Sequence, residues 1–428
     1  MITQTLRAAL MGSAVLLVAA GPAPAPKQTV TGPTAVYWLS ASTASGPMAG
    51  MSMGGPGAGP ARPSFGQMMR GGFGGGGGPV KTLKLQLGSS RKAPSPAADH
   101  FWSPAMDMGT SVPLLSPRPS DPTPRGYEGR TDGQYEQPRG KLLIYWGCGA
   151  KAGPGQPVVI DFAKVAQNPQ APNLKEWAGM MTGLDITPMK EPSADRFATY
   201  GEWPNSRNSD PVPGGASLVG EHFVKGSYSP DIKLTLTAGQ DFLEPIRLRQ
   251  TPEAGGSVAL NWQAMARSRG FHATVIGAQE TRRGADPVMV MWTSSAAQVG
   301  AFATPDYISD EDLARLVARK ALLPGSATAC TVPAEVIKAA PSGMLNLTAW
   351  GGEADFAYPA RPADPKVAWN IQWTAKVRYR STVGTILGMD DSDFGGESAE
   401  ESPRDKPKEK EGGKARKILR GLGIPGTR

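Results

Sequence analysis

Five methionines near the amino terminus form the pattern in this chain that comes closest to a metal site. Met48, Met51, Met53, Met68 and Met69 lie in one stretch that is rich in Gly and Pro. Thioether sulfur is a soft ligand that suits Cu(I), so this stretch is a candidate copper site. It contains no His, and a Gly-Met-Pro composition also arises in low-complexity sequence that binds no metal. Copper binding and plain low complexity are therefore the two interpretations, and the sequence predicts no other cofactor.

The residue types that most enzymes use for catalysis are scattered. The three histidines, His100, His222 and His272, are far apart, and none has another His or Cys at metal-ligand spacing. Neither a nucleophile elbow nor a phosphate loop occurs. Glu353 and Asp355 would share one face of a strand, where paired carboxylates perform acid–base chemistry or bind calcium, or simply line a solvated edge. The sequence favours a protein that is not an enzyme, with a glycan hydrolase as the alternative.

Tryptophans offer a second kind of site, because the faces of aromatic rings stack on sugars. Trp102, Trp177 and Trp203 fall in predicted loops and are the candidates for binding a glycan. The alternative is that these rings fold back and cover the sheets.

Two cysteines, Cys148 and Cys330, lie 182 residues apart. In an exported protein such a pair forms a disulfide, whereas in a reducing cytoplasm it remains as two buried thiols. We expect the disulfide, because the amino terminus reads as an export signal.

That signal is predicted to span residues 1–25. A basic start is followed by the apolar run Ala8 to Ala20, which has the length of a signal-peptide core and is too short to span a bilayer. Small residues then favour cleavage before Gly21, and an uncleaved membrane anchor is the alternative. The expected location is the periplasm or the exterior, and no transmembrane segment is predicted in the mature chain.

Apolar runs that end in Trp and small residues recur along the chain and predict buried strands. They are AVYWLSAS at 35–42, LLIYWGCG at 142–149, VMVMWTSS at 288–295 and LNLTAWGG at 345–352. Short strands separated by turn residues are typical of all-β sandwiches, so the predicted class is mainly β with two β-sandwich, immunoglobulin-like domains. One helix is predicted over Asp310 to Arg319, with Ser309 as its cap.

Composition divides the chain. We predict a β domain at 29–166 with a Gly/Met-rich insertion at 46–78, a connector at 167–220, a β-sandwich domain at 221–389, and a disordered charged tail at 390–428.

One run in the second domain carries a resemblance. VALNWQAMARSRGFHATVIG (258–277) resembles the B and C strands of fibronectin type III and immunoglobulin-like domains, which implies that Trp262 lies in the core and that Phe271 covers it. The whole chain, and GGEADFAYPARPADPKVAWNIQW (351–373) in particular, resembles a group of exported bacterial proteins of unknown function. That resemblance implies no activity.

The formal net charge is +8, but basic residues are not interleaved with aromatic ones as they are in a nucleic-acid groove. The sequence therefore predicts no nucleic-acid partner. An envelope protein or a glycan is the expected partner of an exported, non-enzymatic binding or structural protein.

Overall fold

The computed structural model describes residues 28–49, 78–117, 139–167, 184–205, 207–279, 285–300 and 304–389. The predicted signal peptide, most of the Gly/Met-rich insertion and the charged tail lie outside these residues.

Within the described ranges the protein is mainly β, and this part of the predicted fold class is confirmed. The strands, numbered in chain order, are β1 (Val30–Thr31), β2 (Ala35–Ser45), β3 (Val80–Ser89), β4 (Ala98–Phe101), β5 (Ser111–Pro113), β6 (Lys141–Trp146), β7 (Val158–Asp161), β8 (Thr199–Trp203), β9 (Gly220–Gly226), β10 (Ile232–Leu236), β11 (Arg249–Pro252), β12 (Val258–Asn261), β13 (Gly270–Ala278), β14 (Val288–Thr293), β15 (Leu323–Pro324), β16 (Ala329–Val332), β17 (Met344–Tyr358), β18 (Trp369–Asn370) and β19 (Trp373–Ile386).

Helices are short and sit outside the sheets. They are α1 (Phe162–Gln167), α2 (Asp310–Ala318) and α3 (Ala334–Ala339), with 3₁₀ turns at Pro104–Met106 and Ala238–Gln240. The predicted cap of α2 is confirmed, because the Asp312 amide donates to the Ser309 hydroxyl at 3.1 Å. None of the helices in the described ranges is long and apolar enough to cross a membrane.

The large sheet has the strand order β7-β6-β14-β13-β17-β19-β2-β3-β8, and β15 adds to β13. Its pairs are antiparallel except for β14 with β6 and β19 with β2, which are parallel. A four-stranded sheet (β10-β9-β4-β5) and a three-stranded sheet (β11-β12-β16) form further sheets, and β1 pairs with β18.

The main core lies between the large sheet and the two smaller sheets. One apolar cluster includes Leu85 and Val377 from the large sheet, Val224 from the four-stranded sheet and Leu260 from the three-stranded sheet. This arrangement is a β-sandwich, since side chains of period two from facing sheets fill one layer. On the opposite face of the large sheet, α2 packs near Trp350 in a second cluster, and Phe162 of α1 packs in a third.

The division into two separate domains is not confirmed. Trp146 and Trp292 belong to the two predicted domains, yet their strands β6 and β14 are parallel neighbours in the large sheet. The other parallel pair, β19 with β2, also joins the two predicted halves. Local periodicity predicted the strands but carried no information on which strands pair.

The predicted connector contains a strand that sequence analysis missed. Strand β8 pairs with β3 from Leu85↔Trp203 to Ser89↔Thr199 and forms one edge of the large sheet. Its sequence is only five residues long and stands among Pro and Asn, so the local pattern of turn residues masked it.

Candidate functional site

The candidate site is built on strands β4 and β9, each of which carries a histidine on one face and a phenylalanine on the other. His100 and His222 point into the sandwich and are buried, whereas Phe101 and Phe223 are half-buried on the outer face. The alternation follows from the period of two in a strand. A groove on the outside and a polar chain on the inside therefore share the same two strands.

The floor of the groove is aromatic. Phe101 and Phe223 are direct cross-strand partners, and their ring centroids lie 5.9 Å apart at an interplanar angle of 29°. Lys233 on β10 stands opposite Phe223, and its Nζ lies 5.1 Å from the centroid of that ring. This cation–π contact covers one face of Phe223 and fixes the ring.

The rim of the groove combines apolar and polar groups. The groove contains a space of about 350 Å³. It is lined by the two phenylalanines, by Trp102, Ser103 and Pro104, which follow β4, and by Glu221 on β9. The Ser103 hydroxyl donates to the Val219 carbonyl at 2.8 Å, which fixes the wall. The space is open to solvent, and its lining combines aromatic side chains with a few polar groups.

Glycine at position 220 allows the two walls to approach. A Cβ there would lie 2.7 Å from the Cβ of Ser103, and φ at Gly220 is +123°, which side-chain-bearing residues rarely adopt. Glu221 is therefore held next to Ser103 by a backbone contact that only glycine permits.

A chain of hydrogen bonds crosses the sandwich beneath the groove. The Tyr37 hydroxyl lies 2.7 Å from His100 Nδ1, His100 Nε2 lies 3.0 Å from His222 Nδ1, and His222 Nε2 lies 2.6 Å from the Leu218 carbonyl. Because a carbonyl oxygen only accepts, His222 Nε2 donates to it; if both rings are neutral, His222 Nδ1 accepts from His100 Nε2, and His100 Nδ1 accepts from the Tyr37 hydroxyl. Both histidines are neutral in this arrangement, with every ring nitrogen bonded.

Burial explains why these histidines stay neutral. It lowers the pKa of His100 well below its ordinary value, and the neighbouring His222 adds to the effect. Burial also lowers the pKa of His222, against the opposing effect of its bond to the Leu218 carbonyl. The chain therefore connects β2, β4 and β9 without a buried charge.

The third histidine is separate from this chain. His272 on β13 is 2 % exposed, and burial lowers its pKa to about 4. Its Nε2 atom has no hydrogen-bond partner among the described residues.

An ionic cluster lies on the opposite face of the large sheet. The guanidinium carbon of Arg378 lies 4.7 Å from the Trp38 ring centroid and 4.2 Å from that of Tyr307. Arg378 also binds Glu191, and Arg380 binds the carboxylate of Asp306. Burial alone would raise the pKa of Glu191, but Arg378 lowers it below its ordinary value. The cluster clamps the segments around 191 and 306 onto the sheet.

Glu353 and Asp355 share a face of β17, as a strand requires. Lys376 Nζ lies 2.8 Å from Glu353 Oε2 and 3.0 Å from Asp355 Oδ1, so one ammonium forms an ion pair with each carboxylate. Glu353 and Asp355 therefore hold Lys376 in place, and its Nζ also lies 5.9 Å from the Trp38 ring centroid.

The candidate tryptophans differ in position. Trp102 is 7 % exposed, donates from Nε1 to the Gly109 carbonyl at 3.1 Å, and lines the groove. Trp203 is 1 % exposed and packs edge-on against Trp102 with ring centroids 6.2 Å apart, so it offers no face to a ligand. Trp177 lies outside the described residues.

Of the candidate copper ligands, only Met48 is described. It is half-buried, and its amide donates to the Gly384 carbonyl at 3.2 Å. Met51, Met53, Met68 and Met69 lie outside the described residues, and the copper hypothesis stays a prediction. In the part of the chain that the structure describes, no group of three or more His, Cys, Asp and Glu could hold a metal ion.

Cys148 and Cys330 form a disulfide. It joins the loop after β6, in the large sheet, to β16 in the three-stranded sheet. The bond therefore ties the two layers of the sandwich together.

Sequence analysis missed Phe101, Phe223 and Glu221, although a signal for the phenylalanines exists. The dipeptide His-Phe occurs at 100–101 and again at 222–223. In two strands with one buried face, such dipeptides place both histidines on one side and both phenylalanines on the other.

The chain was also compared with known proteins. No protein-family model matches it, and no curated protein matches it.

Proposed function

We propose that this protein is exported to the periplasm or secreted, and that it acts as a non-enzymatic binding or structural protein of the bacterial cell envelope. The observation that carries the proposal is the groove formed by Phe101, Trp102, Pro104 and Phe223, with Glu221 at its rim. Half-exposed aromatic rings on the outer face of a sheet are an unusual use of large apolar side chains, and they are typical of binding sites.

Two observations support the export part of the proposal. The first 25 residues have the pattern of a signal peptide, and the disulfide between Cys148 and Cys330 is a bond that persists in oxidising compartments.

Export is tested by mass spectrometry of the protein recovered from fractionated bacterial cells. We expect it in the envelope or the medium, beginning at Gly21 and with its two cysteines oxidised. Recovery from the cytoplasm with Met1 retained and with free thiols would contradict the proposal.

Binding is tested by co-sedimentation of the full chain with isolated envelope. We expect the wild-type protein to sediment and the double variant Phe101→Ser/Phe223→Ser to bind at least about tenfold more weakly, since aromatic anchors dominate binding energies. Tyr358→Ser is the matched control, because Tyr358 is an aromatic side chain that is 51 % exposed outside the groove. Equal sedimentation of the wild type and the double variant would refute the assignment of binding to the groove.

A further inference from the structure

The groove also indicates what kind of ligand it takes. Resting on the function proposed above, we propose that the groove binds a neutral, hydroxyl-rich glycan. The groups that face the groove, the charge around it and the bonding state of its backbone each support this ligand class.

The side chains match the two sides of a sugar ring. Phe101 and Phe223 are half-buried and offer apolar ring surface, on which the C–H face of a sugar packs. Glu221 is exposed and supplies carboxylate oxygens, which accept hydrogen bonds from hydroxyl groups. The Ser103 hydroxyl uses its hydrogen in the bond to the Val219 carbonyl, so its oxygen is available to a ligand only as a hydrogen-bond acceptor.

The charges on this outer face are balanced. Asp99 is the cross-strand partner of Lys225, Lys233 stands opposite Phe223, and Glu221 lies two residues before Phe223 on β9. Two acidic and two basic side chains therefore surround the aromatic rings. A balanced surface gives no net attraction to a polyanion or a polycation, so it favours a neutral ligand.

The backbone of the groove floor is already occupied. Strand β4 is paired with β9 on one side and with β5 on the other, and the Trp102 amide donates to the Thr110 carbonyl at 3.4 Å. A peptide that binds by adding a strand needs free backbone groups at a sheet edge. Side-chain recognition is what remains, and a sugar uses it.

The size of the groove sets the extent of the contact. Its volume of about 350 Å³ lies near the lower end of the range for small-molecule sites. The groove therefore holds a short glycan unit, and an envelope polymer would bind by presenting many such units.

The test uses the full chain and isolated envelope that has been divided into three portions. One portion is treated with protease, one is oxidised with periodate, which cleaves vicinal diols of sugars, and one is left untreated. We expect binding to survive protease and to be lost after periodate. Loss of binding after protease, or survival after periodate, overturns the glycan proposal, because it assigns the ligand to a protein or a lipid.

Neutrality has its own arm. In about 1 M NaCl the Debye length is about 3 Å, so binding that depends on ligand charge is lost, whereas stacking on aromatic rings is kept. We expect the amount sedimented to change less than about twofold. Elution by salt would overturn the neutral assignment.

Variants separate this proposal from the one on which it rests. Glu221→Gln removes the carboxylate charge on an exposed side chain, so folding is preserved, and we expect about threefold to tenfold weaker binding. If Phe101→Ser/Phe223→Ser binds as well as the wild type, the proposed function fails. If that variant loses binding but protease abolishes the wild-type interaction, the proposed function stands and the glycan proposal fails.

Discussion

Replacing Cys148 and Cys330 together with alanine should destabilise the protein by an amount that follows from chain length. The disulfide closes a separation of 182 residues. In the chain-entropy model, opening a loop of this length releases conformational entropy in the unfolded chain worth about 5 kcal/mol at 25 °C. The expected loss in free energy of unfolding is therefore about 5 kcal/mol, with a smaller addition from the void at the buried Cys330.

The folded state should change little, because other bonds hold the loop around Cys148. The Gly147 amide donates to the Thr293 carbonyl and the Gly149 amide to the Thr331 carbonyl, each at 2.9 Å. These bonds link the loop to β14 in the large sheet and to β16, the strand that carries Cys330. We therefore expect the variant to keep its near-ultraviolet circular dichroism and the envelope binding proposed above.

Urea unfolding measures the effect. At an m-value of about 2–3 kcal/mol/M, a loss of about 5 kcal/mol moves the midpoint down by about 2 M. Wild-type protein unfolded in the presence of a reductant should show the same shift, and so should each single alanine variant, since either one opens the bridge. A loss of less than about 2 kcal/mol in the double variant would refute the reasoning, and so would a loss of envelope binding while the fold is retained.

Two further predictions concern buried charge and titration. Arg378→Ala should lower the free energy of unfolding in urea by about 3 kcal/mol, because it removes a buried cation from two aromatic rings and from Glu191. Lys84→Ala removes the other partner of the Glu191 carboxylate, which is 49 % exposed, and should lower it by less than about 0.5 kcal/mol. Equal losses in the two variants would contradict this account. His272 has a pKa of about 4 in the fold and about 6.5 when unfolded, so its contribution to stability is complete above pH 6.5 and is lost as the pH falls toward 4. Between pH 7 and pH 5 the protein should lose about 2 kcal/mol of its free energy of unfolding through His272. If His272→Leu shows the same dependence of unfolding free energy on pH as the wild type, His272 is not the group responsible.

The strands that sequence analysis predicted well have strong local patterns. Strand β3 (Val80–Ser89) has such a pattern, because Leu83, Leu85 and Leu87 alternate with Thr82, Lys84 and Gln86. The helix α2 was predicted from Ser309 and its apolar face. In both cases the pattern that identifies the element lies within residues a few positions apart.

What the sequence did not predict depends on pairing between distant residues. The parallel pair of β19 with β2 joins Trp373 to Ala35, and β8 is a strand because it pairs with β3. Backbone hydrogen bonds are the same for every residue type, so a register of this kind leaves little trace in local composition. Strands from both predicted domains therefore share one large sheet.

Sequence analysis missed the groove and the histidine chain together, because both depend on the pairing of β4 with β9. Phe101 and Phe223 are cross-strand partners only if β4 pairs with β9. The same pairing places His100 Nε2 3.0 Å from His222 Nδ1. The neutral chain from Tyr37 to the Leu218 carbonyl satisfies the polar groups that this pairing buries, and protonation of an imidazole there would place a charge in the buried core. Because the outer rings are positioned by strands whose inner residues must stay neutral, the shape of the groove depends on the same buried bonds that hold the four-stranded sheet against the large sheet.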